Sequence, residues 1–303
     1  MMLQKGAGTI VRRTKGFYYL RTSSGNEIEC KIKGNLFEHS RFDNQVAVGD
    51  KVAYTFSSAD SVGLIHRIEK RSGFLSRSRV GVGSEQIIAA NVDYLFIVSS
   101  VKNPAFKYNL INRMLVASVV GNVIPVLVVS KTDLSNSIEI NQLLVPYRDI
   151  DLEIVLSSTQ KETDRTKLFD LFTGSISVLA GKSGVGKSSL LNMLFPDLQL
   201  KVGSVSSRTL KGAHTTAFAS MHKIAENSYV IDTPGIREFG LWKVTRENLG
   251  EYFPLIQKYH FQCKHRNCRH VHEPKCAVKT NVAEGTISNI LYQGYLSIFE
   301  SLN

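Results

Sequence analysis

Up to about residue 70 the chain alternates apolar and polar positions in short runs: GTIVRRT, FYYLRT, EIECKIK, KVAYTF and VGLIHRIEK. Turn chemistry separates them, as at Ser23-Ser24-Gly25-Asn26 and Gly49-Asp50. Short period-two runs at this spacing predict a small β-barrel. In EIECKIK the residues Ile28, Cys30 and Ile32 share one face, which predicts Cys30 in the core. Alternation through Phe17, Tyr18 and Tyr19 predicts that at least one of Phe17 and Tyr19 is buried. The stretch RSGFLSRSRVGVGSEQ is basic, punctuated by Gly and Ser, and reads as a linker.

From residue 91 the runs become continuous: DYLFIV, PVLVV, EIVL, SISVLA and SYVI, with helical periodicity around Asn109–Val120 and Thr166–Leu171. Strands buried on both faces and alternating with helices predict a mostly parallel α/β sheet. Beyond about residue 240 the pattern is helical, with a His/Cys-rich insert. In the last helix Ile287, Ile290, Leu291, Ile298 and Phe299 recur at helical spacing and predict a core face. The reading is a multidomain chain: a barrel over 1–70, an α/β domain over 71–242 and a helical domain over 243–303.

Composition narrows the class. Hydrophobic residues make up 43% and charged residues 21%, an ordinary globular balance. No apolar run approaches the ~20 residues that span a bilayer, and MMLQKGAGTIVRR carries no apolar signal core, so a cytoplasmic protein with no membrane partner is expected. The net charge of +11 favours a polyanion such as nucleic acid. Cys263, Cys268 and Cys276 crowd a short segment containing His270 and His272, a pattern that in the cytosol suggests metal rather than disulfide.

The chemistry is concentrated in Gly181-Lys182-Ser183-Gly184-Val185-Gly186-Lys187-Ser188-Ser189, which matches G-x-x-x-x-G-K-[ST] between a strand and a helix. Glycines let backbone N–H groups curl around phosphate oxygens, and the helix N-terminus adds positive potential. Lys187 then meets the β- and γ-phosphates and Ser188 offers its hydroxyl to Mg²⁺. Asp232-Thr233-Pro234-Gly235 follows a strand, so Asp232 serves the same ion and the Gly235 N–H meets the γ-phosphate. Between them lies Lys211-Gly212-Ala213-His214-Thr215-Thr216, a switch loop in which Thr216, or Thr215, completes the magnesium shell.

Ser130-Lys131-Thr132-Asp133 ends the strand PVLVV. A carboxylate at Asp133 accepts both N1–H and N2–H₂ of guanine, a donor pair adenine lacks, which argues against an ATPase. The Lys131 stem lies along the ring. This resembles the GTPase motif N-K-x-D with Ser130 in place of Asn, and Ser157-Ser158 is placed like the loop that touches the guanine carbonyl. Ordinary GTPases begin with the phosphate loop and read the base late. Here the order is SKTD, SS, GKSGVGKS, GAHTT, DTPG, a circular permutation tolerable because both sets of loops share one sheet edge.

On these motifs, together with Ala90-Asn91-Val92-Asp93 and Asn103-Pro104-Ala105-Phe106, the chain resembles the ribosome-small-subunit-dependent GTPase family RsgA, also called YjeQ or YloQ, over essentially its whole length. The resemblance implies an N-terminal OB-fold, a permuted GTPase domain and a C-terminal zinc domain. It also implies a monomer acting on the 30S subunit and its 16S rRNA in late maturation, with hydrolysis stimulated by that particle. Within the segment Cys263-x4-Cys268-x-His270-x5-Cys276 the family pattern favours His270 over His272, giving one closed structural Zn²⁺ site; His260 and His265 are then expected at the surface. Ala213 departs from a family Arg. Ile236 stands where many GTPases place a water-orienting Gln, which predicts a slow intrinsic rate and leaves His214 as the candidate catalytic group beside Lys187.

The barrel interleaves Arg12, Arg13, Lys15, Arg21, Lys31 and Lys33 with Phe17, Tyr18 and Tyr19, the composition of a single-stranded RNA surface. Two functions follow: a GTP-hydrolysing assembly factor, or a GTP-gated RNA-binding checkpoint in which hydrolysis is incidental.

Overall fold

A computed structural model of the chain describes residues 3–14, 16–32, 46–57, 62–78, 84–160, 165–198, 219–232 and 240–302. The first five strands are β1 (Leu3–Arg13), β2 (Tyr18–Thr22), β3 (Glu27–Ile32), β4 (Lys51–Ser57) and β5 (Gly63–Ile68). Pairing runs β1-β2-β3-β5-β4 and closes through β4 back onto β1, with only β3 and β5 parallel. This is the closed five-stranded Greek-key barrel of an OB-fold. Ile10, Leu20, Cys30, Val52 and Ile65 fill it with no exposed surface. Cys30 is in the core as the alternation predicts. The aromatic parity is the reverse of expectation: Tyr18 is buried, whereas Phe17 and Tyr19 are only half-buried. A register shift between Ile10 and Arg12 sets Arg12 opposite Tyr19 and Arg13 opposite Tyr18, and one residue of slip exchanges the two faces of a strand.

The expected linker is instead a strand pair, β6 (Phe74–Ser78) with β7 (Glu85–Ala90). It leads into β8 (Tyr94–Ser100), α1 (Tyr108–Val120), β9 (Ile124–Ser130), α2 (Ser137–Leu144), β10 (Glu153–Leu156), α3 (Arg165–Phe172), β11 (Ile176–Ala180), α4 (Lys187–Leu194), β12 (Ser220–Ala225) and β13 (Ser228–Asp232). Strand order is β10-β9-β8-β11-β13-β12, parallel except for β12. At Arg12–Ser220, β12 also pairs with β1, so barrel and α/β domain share one eleven-stranded sheet.

Ala90-Asn91-Val92-Asp93 is the joint between them. Asn91 adopts φ 52° and its amide donates to the Gly49 carbonyl at 2.8 Å, while the Asp93 carboxylate accepts the Ile176 N–H at 2.8 Å. Gly49 must be glycine: its φ is +95°, and a Cβ there would lie 2.0 Å from the Ala90 carbonyl oxygen. Nearby, Arg71 grips the fully buried Asp50 through both carboxylate oxygens at 2.7 and 2.8 Å.

The C-terminal part carries α5 (Leu249–Tyr252), α6 (Pro254–His260), α7 (Ala277–Ala283) and α8 (Asn289–Ser301). Helix α8 packs on α1, Asn109 donating to Ser297 at 3.2 Å and Arg113 to Ser301. Its buried line is Leu291, Tyr295, Ile298 and Leu302, with Ile287 just before the helix; Ile290, expected in the core, is 45% exposed. One residue turns a helix by about 100°, which sets Ile290 apart from the buried line of Leu291, Tyr295 and Ile298. Among the described residues no helix is long and apolar enough to cross a membrane.

Candidate functional site

Parallel strands deliver the loops at their C-terminal ends to one edge of the sheet. Strand β11 ends at Ala180, between β8 and β13, and the chain enters Gly181. A Cβ at Gly181 would lie 2.2 Å from the Val98 carbonyl oxygen, so only glycine passes this close to β8. Gly184 and Gly186 adopt φ 80° and 97°, and Gly186 is the cap from which α4 starts. Lys187 and Ser188, in the first turn, are 7% and 5% exposed. The Lys187 ammonium donates to the carbonyls of Gly181 and Lys182, 2.8 Å each, and so arches over the loop. This is a cradle of backbone donors around one lysine, built for an anion. Asp232, last residue of β13, lies one position beyond the Val178–Ile231 pair and therefore at the same edge. His214, Thr215, Thr216 and Gly235, with Ile236, lie outside the described residues.

The base-reading candidates occupy the neighbouring loops of that edge. Ser130 is 6% exposed and its hydroxyl donates to the Val185 carbonyl at 2.6 Å, joining this loop to the phosphate loop. Lys131 turns the chain at φ 58° and its ammonium donates to the Asn103 carbonyl. Thr132 donates through N–H and hydroxyl to the Ser157 carbonyl, both at 3.3 Å. Ser158, 2% exposed, donates its hydroxyl to Asp133 Oδ1 at 2.6 Å and accepts the Gln160 N–H at 3.0 Å. Thus Ser157 and Ser158 hold the Thr132-Asp133 turn in place. The loop at Asn103-Pro104 is a further part of the edge: Ser100 holds it through the Pro104 carbonyl at 2.7 Å, and it receives Lys131. Its pairing with Lys131 joins residues far apart in the chain and leaves no local signal.

A second cluster lies in the C-terminal domain. Ligand atoms of Cys263, Cys268, His270 and Cys276 all fall within 4.8 Å of one another. The Cys263 and Cys276 sulfurs lie 3.5 and 3.3 Å from His270 Nδ1 and 3.9 Å apart. A tetrahedral zinc ion with Zn–S near 2.3 Å spaces its sulfurs by about 3.8 Å, so the donor set fits. Burial, with His260 nearby, lowers the His270 imidazole to about 4, leaving it neutral at ordinary pH. Burial raises Cys268 to about 12, with the other thiols adding to the effect; a divalent cation at their centre reverses that balance.

His260 is not at the surface as expected. It is 8% exposed and its Nδ1 lies 2.8 Å from His270 Nε2, the nitrogen turned away from the thiols. A Cβ at Gly250 would come within 2.7 and 2.9 Å of these two rings, so the adjacent helix makes room for them. Burial works to raise the Glu273 carboxyl, yet N–H donors from Arg269, Val271 and His272 at 3.0–3.1 Å outweigh it and hold it near about 2. His272 is exposed, and only its backbone takes part.

On the barrel, the Arg12 guanidinium lies 3.7 Å over Tyr19 and the Lys31 ammonium 4.8 Å over Phe17, so each half-buried ring carries a cation. Arg21 is engaged by Glu27 at 3.0 Å, and Lys15 and Lys33 lie outside the described residues.

Family models described as RsgA N-terminal domain and RsgA GTPase match residues 7–65 and 68–242. A protein of Christiangramia forsetii named small ribosomal subunit biogenesis GTPase RsgA is 34% identical over 97% of this chain and 95% of its own. One of Bacteroides thetaiotaomicron, named small ribosomal subunit biogenesis GTPase RsgA 2, is 35% identical over 97% and 96%. Among solved structures, YjeQ from Thermotoga maritima superposes with a TM-score of 0.78 at 29% identity, covering 99% of both chains. YloQ, described as a circularly permuted GTPase, gives 0.72 at 27% identity, covering 99% of this chain and 95% of its own. With a phosphate cradle reached only after the candidate base-reading loops, and with relatives alike from end to end, the chain belongs to the RsgA family of GTPases.

Proposed function

We propose that this protein hydrolyses GTP to GDP and phosphate during late maturation of the small ribosomal subunit, and that the 30S particle and its 16S rRNA stimulate the reaction. The observation that carries the reading is the Ser130–Val185 hydrogen bond, which ties a guanine-reading loop to a phosphate cradle at one sheet edge. The names of the relatives supply the subunit.

In this reading the segments 1–70, 71–242 and 243–303 are the RNA-binding OB-fold, the GTPase domain and the zinc domain of a cytoplasmic monomer. Asp133 accepts the guanine N1–H and N2–H₂ with Ser158 orienting its carboxylate, and Lys131 lies along the ring. The loop Gly181–Ser189 wraps the phosphates and Lys187 leaves its carbonyl partners for the β- and γ-oxygens, while the Gly235 N–H approaches the γ-phosphate. Ser188, Asp232 and Thr216 or Thr215 hold Mg²⁺, which supplies charge neutralisation to the leaving phosphate. Ile236 has no group to orient water, and His214 takes that part. Cys263, Cys268, His270 and Cys276 hold one Zn²⁺ that staples the C-terminal domain.

The test is turnover of GTP and ATP with and without purified 30S subunits. Many-fold stimulation confined to GTP is expected; equal use of both nucleotides, or no response to 30S, overturns the reading. In the same assay His214→Ala lowers stimulated kcat, and an unchanged value removes His214 from the mechanism.

A further inference from the structure

Phe261 is 82% exposed, the most exposed large apolar side chain among the described residues. It follows α6 directly, and its ring stands edge-on to His260 at 5.0 Å and 85°. His260 is in turn bonded to His270, and Cys263 lies two residues beyond Phe261. Turn hydrogen bonds from Gln262 N–H to Tyr259 and from Cys263 N–H to His260, at 3.0 and 3.4 Å, lock the backbone on either side. The ring is therefore presented to solvent from a firm base.

Its neighbours along the chain are cationic. From residue 258 to 267 the chain carries Lys258, Lys264 and Arg266 and no acid. All three cations are exposed. Arg269 and Glu273 line a separate cleft, where Arg269 pairs with Glu247 and Glu273 at 4.0 and 3.8 Å. The exposed residues flanking Phe261 are Gln262, Lys264, His265, Arg266 and Asn267, none of them apolar. A protein partner or a lipid surface needs contiguous apolar area, which this segment does not offer. One open π-face among cations fits an unpaired base whose neighbouring phosphates meet the lysines and Arg266.

We propose that Phe261 stacks on an unpaired RNA base, making the zinc-domain rim a second single-strand contact besides the barrel. The proposal rests on the reading that small-subunit RNA is the partner. Duplex RNA keeps its base faces stacked internally and does not supply the ligand.

The test uses the full chain purified with zinc. Phe261→Trp is titrated with unstructured oligo(U) and with a blunt duplex, against wild-type protein carrying Trp242 as the fluorescence background. Quenching of the introduced indole by oligo(U) and not by duplex is expected. So is a five- to hundredfold (order of magnitude) loss of 30S affinity in Phe261→Ala with zinc content unchanged. No quenching, or equal quenching by duplex, overturns the proposal. So does lost 30S affinity without quenching, which assigns the ring to a protein contact. If wild-type protein shows no 30S-stimulated turnover, the reading beneath the proposal has failed; if stimulation stands and quenching is absent, only the stacking role has.

Discussion

The Ser130 hydroxyl donates to the Val185 carbonyl at 2.6 Å in a buried position, joining the candidate base-reading loop to the phosphate loop. Serine at this position retains one donor, and that donor is spent on the neighbouring loop. Ser130→Ala leaves the Val185 oxygen buried and unpaired, a cost of about 1–3 kcal/mol. Nucleotide affinity is expected to fall by about tenfold, in the same proportion for GTP and GDP. Ser130→Thr keeps most of it. Titration with a fluorescent guanine nucleotide checks this, and an unchanged Kd in Ser130→Ala refutes the coupling.

In the proposed function Asp133 selects the purine. In Asp133→Asn an amide donor faces the guanine donors, with an expected loss of about 3 kcal/mol, roughly a hundredfold in Kd. Xanthosine triphosphate, which carries a carbonyl where guanine carries N2–H₂, should bind this variant better than GTP does. Competition between the two nucleotides measures the reversal; GTP still preferred by the variant would place base recognition elsewhere.

Cys268→Ala removes one of four crowded donors, and the two sulfurs and one imidazole left cannot close a tetrahedral shell. Zinc content by elemental analysis should drop towards zero, with loss of the helical signal of α6 and α7. Nucleotide binding should persist, because none of its candidate residues lies in the C-terminal domain. Retained stoichiometric zinc in the variant argues against this ligand set.

Cys30 makes the barrel sensitive to alkali. Burial raises its thiol from the ordinary 9.0 to about 11. A thiol that stays neutral in the folded chain but ionises earlier in the unfolded one contributes stability that is complete below pH 9 and lost as the pH climbs through about 11. The expected loss is at most about 2–3 kcal/mol. Urea unfolding at stepped pH should show wild type weakening more steeply than Cys30→Ala across that window, after a constant offset of about 1 kcal/mol for the vacated space. Parallel profiles would dismiss the effect.

The sequence by itself determined the local chemistry: the glycine spacing of Gly181–Ser189, the thiol and imidazole spacing of Cys263–Cys276, the periodic runs of the strands, and the motif order that reveals permutation. Each is set by a few adjacent residues whose backbone or donor needs are satisfied nearby. Tertiary structure alone decided which aromatic enters the barrel, because the slip between Ile10 and Arg12 depends on pairing with another strand. It turned a basic linker into a strand pair, drew His260 inward onto His270, and left Ile290 exposed. It also brought Ser130 to Val185 and Ser158 to Asp133. These contacts join segments distant in the chain, and a hydroxyl or imidazole looks the same in sequence whether its partner is water or a buried carbonyl.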